Sequence, residues 1–348
     1  MKPHFPILDG LRGTAALLVV IFHLLEAIYP DPAFHPMHHG YLAVDFFYLL
    51  SGFVVGYAYD DRWGKMNLKT FFKIRLVRLH PLVIFSVALG AIVFWFDPYK
   101  KPVDVGKLFL SLLLGMTLLP SPDIRGWGET HSLNGPCWSL FQEYIANIIY
   151  GIFGRKMTKA VLWVIVVISA VALTATAVSH GHLGTGWSYE TMWIASVRMM
   201  FPFFAGLLLY RTGKLIRIRA AYTVCSLILV VLFFLPFWSF NGWYEAFCVI
   251  FLFPVVVAAG AGGDIKGRWL KLCNFSGAIS YPIYILHYPF IYVYTSWVYE
   301  KKPATSEILP VAIGLFAGFI LLSWAVLKWY DEPVRAWLKR KYLSAPSR

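Results

Sequence analysis

Charge is scarce in this sequence, and acidic charge is scarcer still. Asp, Glu, Lys and Arg make up 14% of the 348 residues, where an ordinary soluble domain carries about 25%. Hydrophobic residues reach 59% and the mean hydropathy is +0.63. That balance excludes a disordered chain and a water-soluble globular enzyme. Cysteine is also sparse: four residues, with no CxxC and no paired spacing, exclude a zinc ribbon and a disulfide framework. The opening MKPHFPILDGLRG lacks a short apolar core with a cleavage site, so no signal peptide is expected. The apolar stretch that follows reads as a retained first helix. No internal repeat and no separate soluble domain stand out, so residues 1–348 read as one transmembrane domain.

What is abundant points to a bilayer. Aromatic residues make up 18% of the chain, as interfacial belts require. Runs near twenty apolar residues read as membrane helices. They fall at 13–30, 41–59, 80–96, 137–153, 160–178, 191–210, 220–239, 243–260, 278–297 and 308–328. A further run, 108–120, is too short to cross a core of about 30 Å. The expected fold is an all-α polytopic membrane protein. It has about ten transmembrane helices and one short re-entrant or half-inserted segment.

Net charge is +13, with 31 Lys and Arg against 18 Asp and Glu. In a soluble chain this would raise nucleic-acid binding, but the positives are not spread evenly. Twenty-four of them, from Lys2 and Arg12 to Arg348, fall in segments that share one side if both termini do. The positive-inside rule makes that side cytoplasmic and requires that 108–120 not cross. The charge is then topology, with no nucleic-acid partner, and an inner bacterial membrane is the expected location.

Ionisable groups inside a bilayer are costly and mark function. Arg12 and His23 are eleven residues apart on the first helix. Eleven steps of 100° end about 20° past three turns, so both point the same way, roughly 16 Å apart. Glu26 lies one turn beyond His23 on nearly the same face. This arrangement fits an anion held at the mouth and an acid/base group deep inside. It equally fits a structural histidine. Asp45 near the outer end of the second helix reads as a cap or a cation's partner. Arg75 and Arg78, one turn apart, match bidentate phosphate binding, or a topogenic basic loop.

In THSLNGPCWSLFQEY, His131, Asn134, Trp138, Ser139 and Glu143 are acceptor-side candidates. Glu143 needs a partner such as His23, Arg198 or a tyrosine. Arg198, well inside a helix, calls for a carboxylate. SYPIYILHYP adds Ser280, Tyr281, Tyr284 and His287. His35, His38 and His39 lack accompanying Cys or carboxylate spacing, so no metal is expected.

Together these segments resemble the acyltransferase-3 family of integral membrane acyltransferases, which includes O-antigen and exopolysaccharide O-acetylases. The resemblance rests on six motifs in the family's order. They are LDGLRGTAALLVVIFH with Arg12 and His23, VDFFYLLSGFVV, RLVR at 75–78, WSLFQE at 138–143, SYPIYILH at 280–287 and YDEP at 330–333. It departs from the family at Gln142 and Tyr144, where a second acidic residue often flanks Glu143. The resemblance implies transfer of an acyl group, commonly acetyl, from cytoplasmic acyl-CoA to a hydroxyl of a glycan or lipid-linked saccharide at the external face. Arg12, Arg75 and Arg78 would then hold CoA phosphates. His23 would be the general base, oriented by Glu143, Glu26 or Asp45. Tyr284, Arg198, Asn134 or Ser139 would face the developing oxyanion. Direct transfer is preferred over an acyl-enzyme through His23 or Ser139. A transporter or flippase of a glycan or lipid, without acyl transfer, is the alternative, and a non-catalytic scaffold is a third reading.

Overall fold

The computed structural model describes residues 4–343; Lys2 and Arg348, counted above among the inner-side positives, lie outside them. Fourteen α-helices follow in order among the described residues. They are α1 (Pro6–Glu26), α2 (Ala43–Tyr59), α3 (Leu68–Phe96), α4 (Val105–Met116), α5 (Cys137–Phe153), α6 (Lys159–His180) and α7 (Met192–Thr212). Then come α8 (Ala221–Phe234), α9 (Asn241–Phe247), α10 (Phe253–Gly262), α11 (Gly267–Leu286), α12 (Tyr288–Lys301), α13 (Thr305–Val326) and α14 (Glu332–Leu343). Among the described residues β-pairing is limited to one isolated bridge, Glu129 to Ser188.

Seven helical stretches among the described residues are long and apolar enough to cross a membrane, which fits a polytopic protein. The other three expected crossings take a different form. Helix α5 has 17 residues and α8 only 14. The run at 278–297 is divided between α11 and α12 at His287. The short run at 108–120 is α4, whose 12 residues span about 18 Å.

Proline explains the irregularities. A proline inside a helix removes the donor to the carbonyl four residues earlier. Helices α9 and α10 join through a π-turn at Cys248–Leu252, two residues before Pro254. Helices α13 and α14 join through another at Leu327–Asp331, two residues before Pro333. The wider π-turn absorbs the missing bond without stopping the helix. At Pro289 the helix breaks instead, and the carbonyl of Ile285 loses its donor. The Asn134 side chain supplies one, with Nδ2 donating to Ile285 O at 2.9 Å.

Two compact units form, each discontinuous in sequence. The first contains the chain through Asp60, Lys156–Gly186 and Glu190–Tyr281. Small residues set its packing, as in other membrane helix pairs. Gly52 and Gly56 on α2 meet α7, and a methyl group at Gly52 would overlap the Phe203 carbonyl. Gly10 and Gly13 of α1 abut Cys273 and Ser276 of α11, also too closely for a methyl group. The second unit contains Asp61–Arg155, Trp187–Tyr189 and the chain from Pro282 onward. There α3 packs on α4, α5, α12 and α14.

Candidate active site

In the first unit, close contact of α1 and α11 builds the surroundings of Arg12. Its Nη2 donates to Asp9 at 2.7 Å and to the Gly277 carbonyl at 3.4 Å, and its Nε donates to the Ser280 hydroxyl at 3.0 Å. Asp9 lies one turn before Arg12, and its second oxygen is 2.8 Å from His4 Nε2. The Arg12 side chain is 28% exposed, so it is aimed by neighbours yet not sealed from solvent. Sequence reasoning missed Asp9, although the i,i+3 spacing to Arg12 was available.

Of the three carboxylates proposed to orient His23, the structure supplies Glu26. His23 Nδ1 lies 2.8 Å from Glu26 Oε2. A ring nitrogen facing a carboxylate donates to it, which leaves the lone pair on Nε2. The side chains are 18% and 49% exposed. The Phe22 ring packs edge-on against His23 and also touches His35 and Tyr41. His35 accepts from the Met37 amide, and burial lowers its pKa.

Asp45 has the cation partner that one sequence reading gave it, and not His23. It is fully buried and pairs with Arg198 of α7 at 2.5 and 3.2 Å. Arg198 also donates to the carbonyls of Thr185 (2.8 Å) and Tyr41 (3.1 Å). This supplies the carboxylate that a mid-helix arginine needs. It also corrects two assignments: Asp45 as the orienter of His23, and Arg198 as a donor held ready for an oxyanion. Every nitrogen of that guanidinium already donates to protein.

Glu245, not singled out from the sequence, is a second buried centre in the same unit. Its Oε1 accepts from His39 Nδ1 (3.1 Å), Asn241 Nδ2 (2.7 Å) and the Tyr41 hydroxyl, and its Oε2 accepts the Leu183 amide at 2.5 Å. His38, His39 and Glu245 bring three ligand-type atoms within 4.8 Å. A cation there would have to displace the hydrogen bonds just named, so the group reads as a hydrogen-bonded hub tying three segments together. An acidic residue inside an apolar run, NGWYEAFCV, was the available signal.

In the second unit Arg75 is buried and donates to Glu143 at 2.9 Å. Both assignments change as a result. Arg75 is not a surface phosphate anchor, and Glu143 answers an arginine on α3. No spacing rule links positions 75 and 143. Arg78 remains half-buried on the same helix. Ser139 in α5 is 2.6 Å from the Tyr284 hydroxyl, a close pair of groups able to donate. Trp138 beside it is half-buried. Asn134 is engaged at the Pro289 break, with its Oδ1 buried and lacking a hydrogen-bond partner. His287 is fully buried, its Nδ1 donating to Ile283 O at 2.9 Å within a ring cluster of Tyr284, Tyr288 and Phe319. His131 is also buried: its Nε2 donates to Leu118 O at 3.0 Å and burial pushes its pKa down to about 4.

Comparison with known proteins places this arrangement. A family model described as an acyltransferase domain matches residues 5–328. The chain is 35% identical over 185 residues to Protein 2 in the picA locus of Rhizobium radiobacter, covering 50% of this chain and 94% of that protein. It is 27% identical over 322 residues to acyltransferase MdmB of Streptomyces mycarofaciens, covering 81% and 78%. It is 23% identical over 366 aligned positions to O-acetyltransferase OatA of Staphylococcus aureus, covering 95% of this chain but only 57% of that protein. No solved structure matches.

Proposed function

The chain belongs to the acyltransferase-3 family, and from that premise we propose that it is a membrane O-acyltransferase using acyl-CoA. The acyl group, acetyl in the first instance, goes from the cytoplasmic donor to a hydroxyl of a glycan or lipid-linked saccharide at the external face. The relative named as an O-acetyltransferase supports that choice of acyl group. The observation that carries the reading is the His23–Glu26 pair at 2.8 Å on the helix that also bears Arg12.

The chemistry follows from the tautomer. His23 Nε2 takes the proton of the acceptor hydroxyl as its oxygen attacks the thioester carbonyl. The carbon–sulfur bond then breaks, and the same proton passes to the departing thiolate. The step therefore needs no external acid or base. Glu26 stabilises the imidazolium formed in between. Arg12, aimed by Asp9 and Ser280, supplies a fixed positive charge for a donor phosphate.

The test is transfer of label from radiolabelled acetyl-CoA to a glycan acceptor by the purified protein in lipid nanodiscs. Transfer is expected, with its loss in His23→Ala at unchanged thermal stability. Arg12→Ala should mainly raise the apparent KM for CoA, because ground-state anchoring is what it removes. Movement of the acceptor across vesicles with no CoA dependence would establish the transporter reading instead.

A further inference from the structure

His23 and Glu26 both lie in the last turn of α1, which ends at Glu26. The last carbonyls of a helix have no intrahelical partner, and helix ends open more easily than helix middles. The bond between the two side chains cannot prevent this, because both ride on the same turn. Support has to come from outside α1.

That support is one 3₁₀ turn, His38–Leu42, which packs against α1. Gly40 is pressed onto Phe22 so closely that a methyl group there would come within 2.6 Å of the Phe22 Cβ. The Tyr41 ring meets Phe22 edge-on at 5.8 Å between ring centres, and Phe22 meets His23 at 4.9 Å. The His35 ring lies against Phe22 at 4.9 Å. Phe22 is buried, so a shift of the turn is passed to the imidazole beside it. The turn is itself fixed by Glu245. His39 Nδ1 and the Tyr41 hydroxyl both donate to its Oε1. Asn241 Nδ2 and the Leu183 amide complete a set of four donors on a carboxylate with no exposure. Burying a carboxylate is costly unless it is hydrogen-bonded, and a satisfied buried network is rigid. Arg198 adds a second tie through the Tyr41 carbonyl at 3.1 Å. All of these residues belong to the first compact unit.

We propose that Glu245 is a positioning residue for acyl transfer. Through Tyr41 and the His38–Leu42 turn it holds Phe22, and with it the His23 imidazole, in the geometry that deprotonates the acceptor. Glu245, fully buried, touches neither substrate. The inference rests on the function proposed above, in which His23 is the base.

The experiment measures kcat and the KM for acetyl-CoA by label transfer with the full chain in nanodiscs, together with the melting temperature. Gly40→Ala drives a methyl group at Phe22, and the Gly40 backbone is one that alanine accepts. A misplacement of about 1 Å can cost about 100-fold in rate, so kcat should fall at least roughly tenfold while KM stays within about twofold. Glu245→Gln should show the same split, because no orientation of the amide accepts all four donors. Gly56→Ala is the control. Its methyl group would meet the Tyr210 ring at 2.6 Å, an equal overlap in the same unit but against α7. It should lower the melting temperature as Gly40→Ala does, yet leave kcat within about twofold. A fall in kcat equal to that of Gly40→Ala would make the effect one of general loosening and overturn the proposal. An unchanged kcat in Gly40→Ala, or in folded Glu245→Gln, would overturn it too. If Glu245→Gln does not fold, Tyr41→Phe takes its place: the ring stays, the tie to Glu245 is lost, and kcat should fall several-fold at unchanged KM. Absence of transfer by wild type would overturn the function proposed above, and the inference with it.

Discussion

Replacing Glu26 by glutamine removes a negative charge from 2.8 Å of His23 Nδ1 while leaving an amide oxygen to accept the same hydrogen bond. Ring orientation is retained and only the electrostatic part is lost. Charges about 4 Å apart attract by about 1 kcal/mol at the dielectric of water and about 4 kcal/mol at an effective value of 20. Glu26 is 49% exposed, so screening places the loss at the low end, about 1–2 kcal/mol. That loss applies to the imidazolium formed during transfer, so it should appear in kcat as a fall of roughly 5–30-fold. The KM for CoA should not move. Initial rates of labelled acetyl transfer at saturating donor, in matched nanodiscs, decide the matter. A kcat within twofold of wild type would refute the role of the carboxylate charge. A variant as inactive as His23→Ala would show that the charge matters far more than solvent screening allows, and would overturn the magnitude worked out above.

The Asp45–Arg198 pair should behave as one unit. Asp45→Leu or Arg198→Met alone strands a buried charge and should cost about 3–5 kcal/mol. The double variant should cost at least about 2 kcal/mol less than their sum in reversible detergent unfolding; additive losses would mean the two charges do not interact. His131 should make the protein acid-sensitive. Its folded pKa, about 4, lies below the unfolded value of about 6.5, so the unfolded chain takes up the proton first. Stability should therefore fall as pH drops from about 6.5 toward 4, by on the order of 2–3 kcal/mol across that range. His131→Gln should flatten that slope, and an unchanged slope would exclude His131 as its source.

The sequence made the helical membrane architecture legible, because apolar length is a one-dimensional property. It made Arg12, His23 and Glu26 legible for the same reason: their relation depends only on helical period. Partners across helices were another matter. Arg198 visibly needed a carboxylate, yet nothing in the chain distinguishes Asp45 from Glu143 as its choice, since pairing is decided by which helices pack. Arg75 looked like a surface cation and is instead buried opposite Glu143. Glu245 is legible by the rule that singles out acids in apolar runs, but its partners His39, Tyr41 and Leu183 come from distant segments and are not. The divided run at 278–297 carried its own warning in Pro289.

Asn134 and Pro289 share one constraint although they are far apart in the chain. The amide nitrogen that proline lacks is supplied by the asparagine, so the two positions act as halves of a single peptide group. A related sequence with an ordinary residue at 289 would have its own donor for that carbonyl, and the asparagine would no longer be required there. The pair should therefore vary together across the family, as a record of how a lost backbone hydrogen bond was replaced by a side chain.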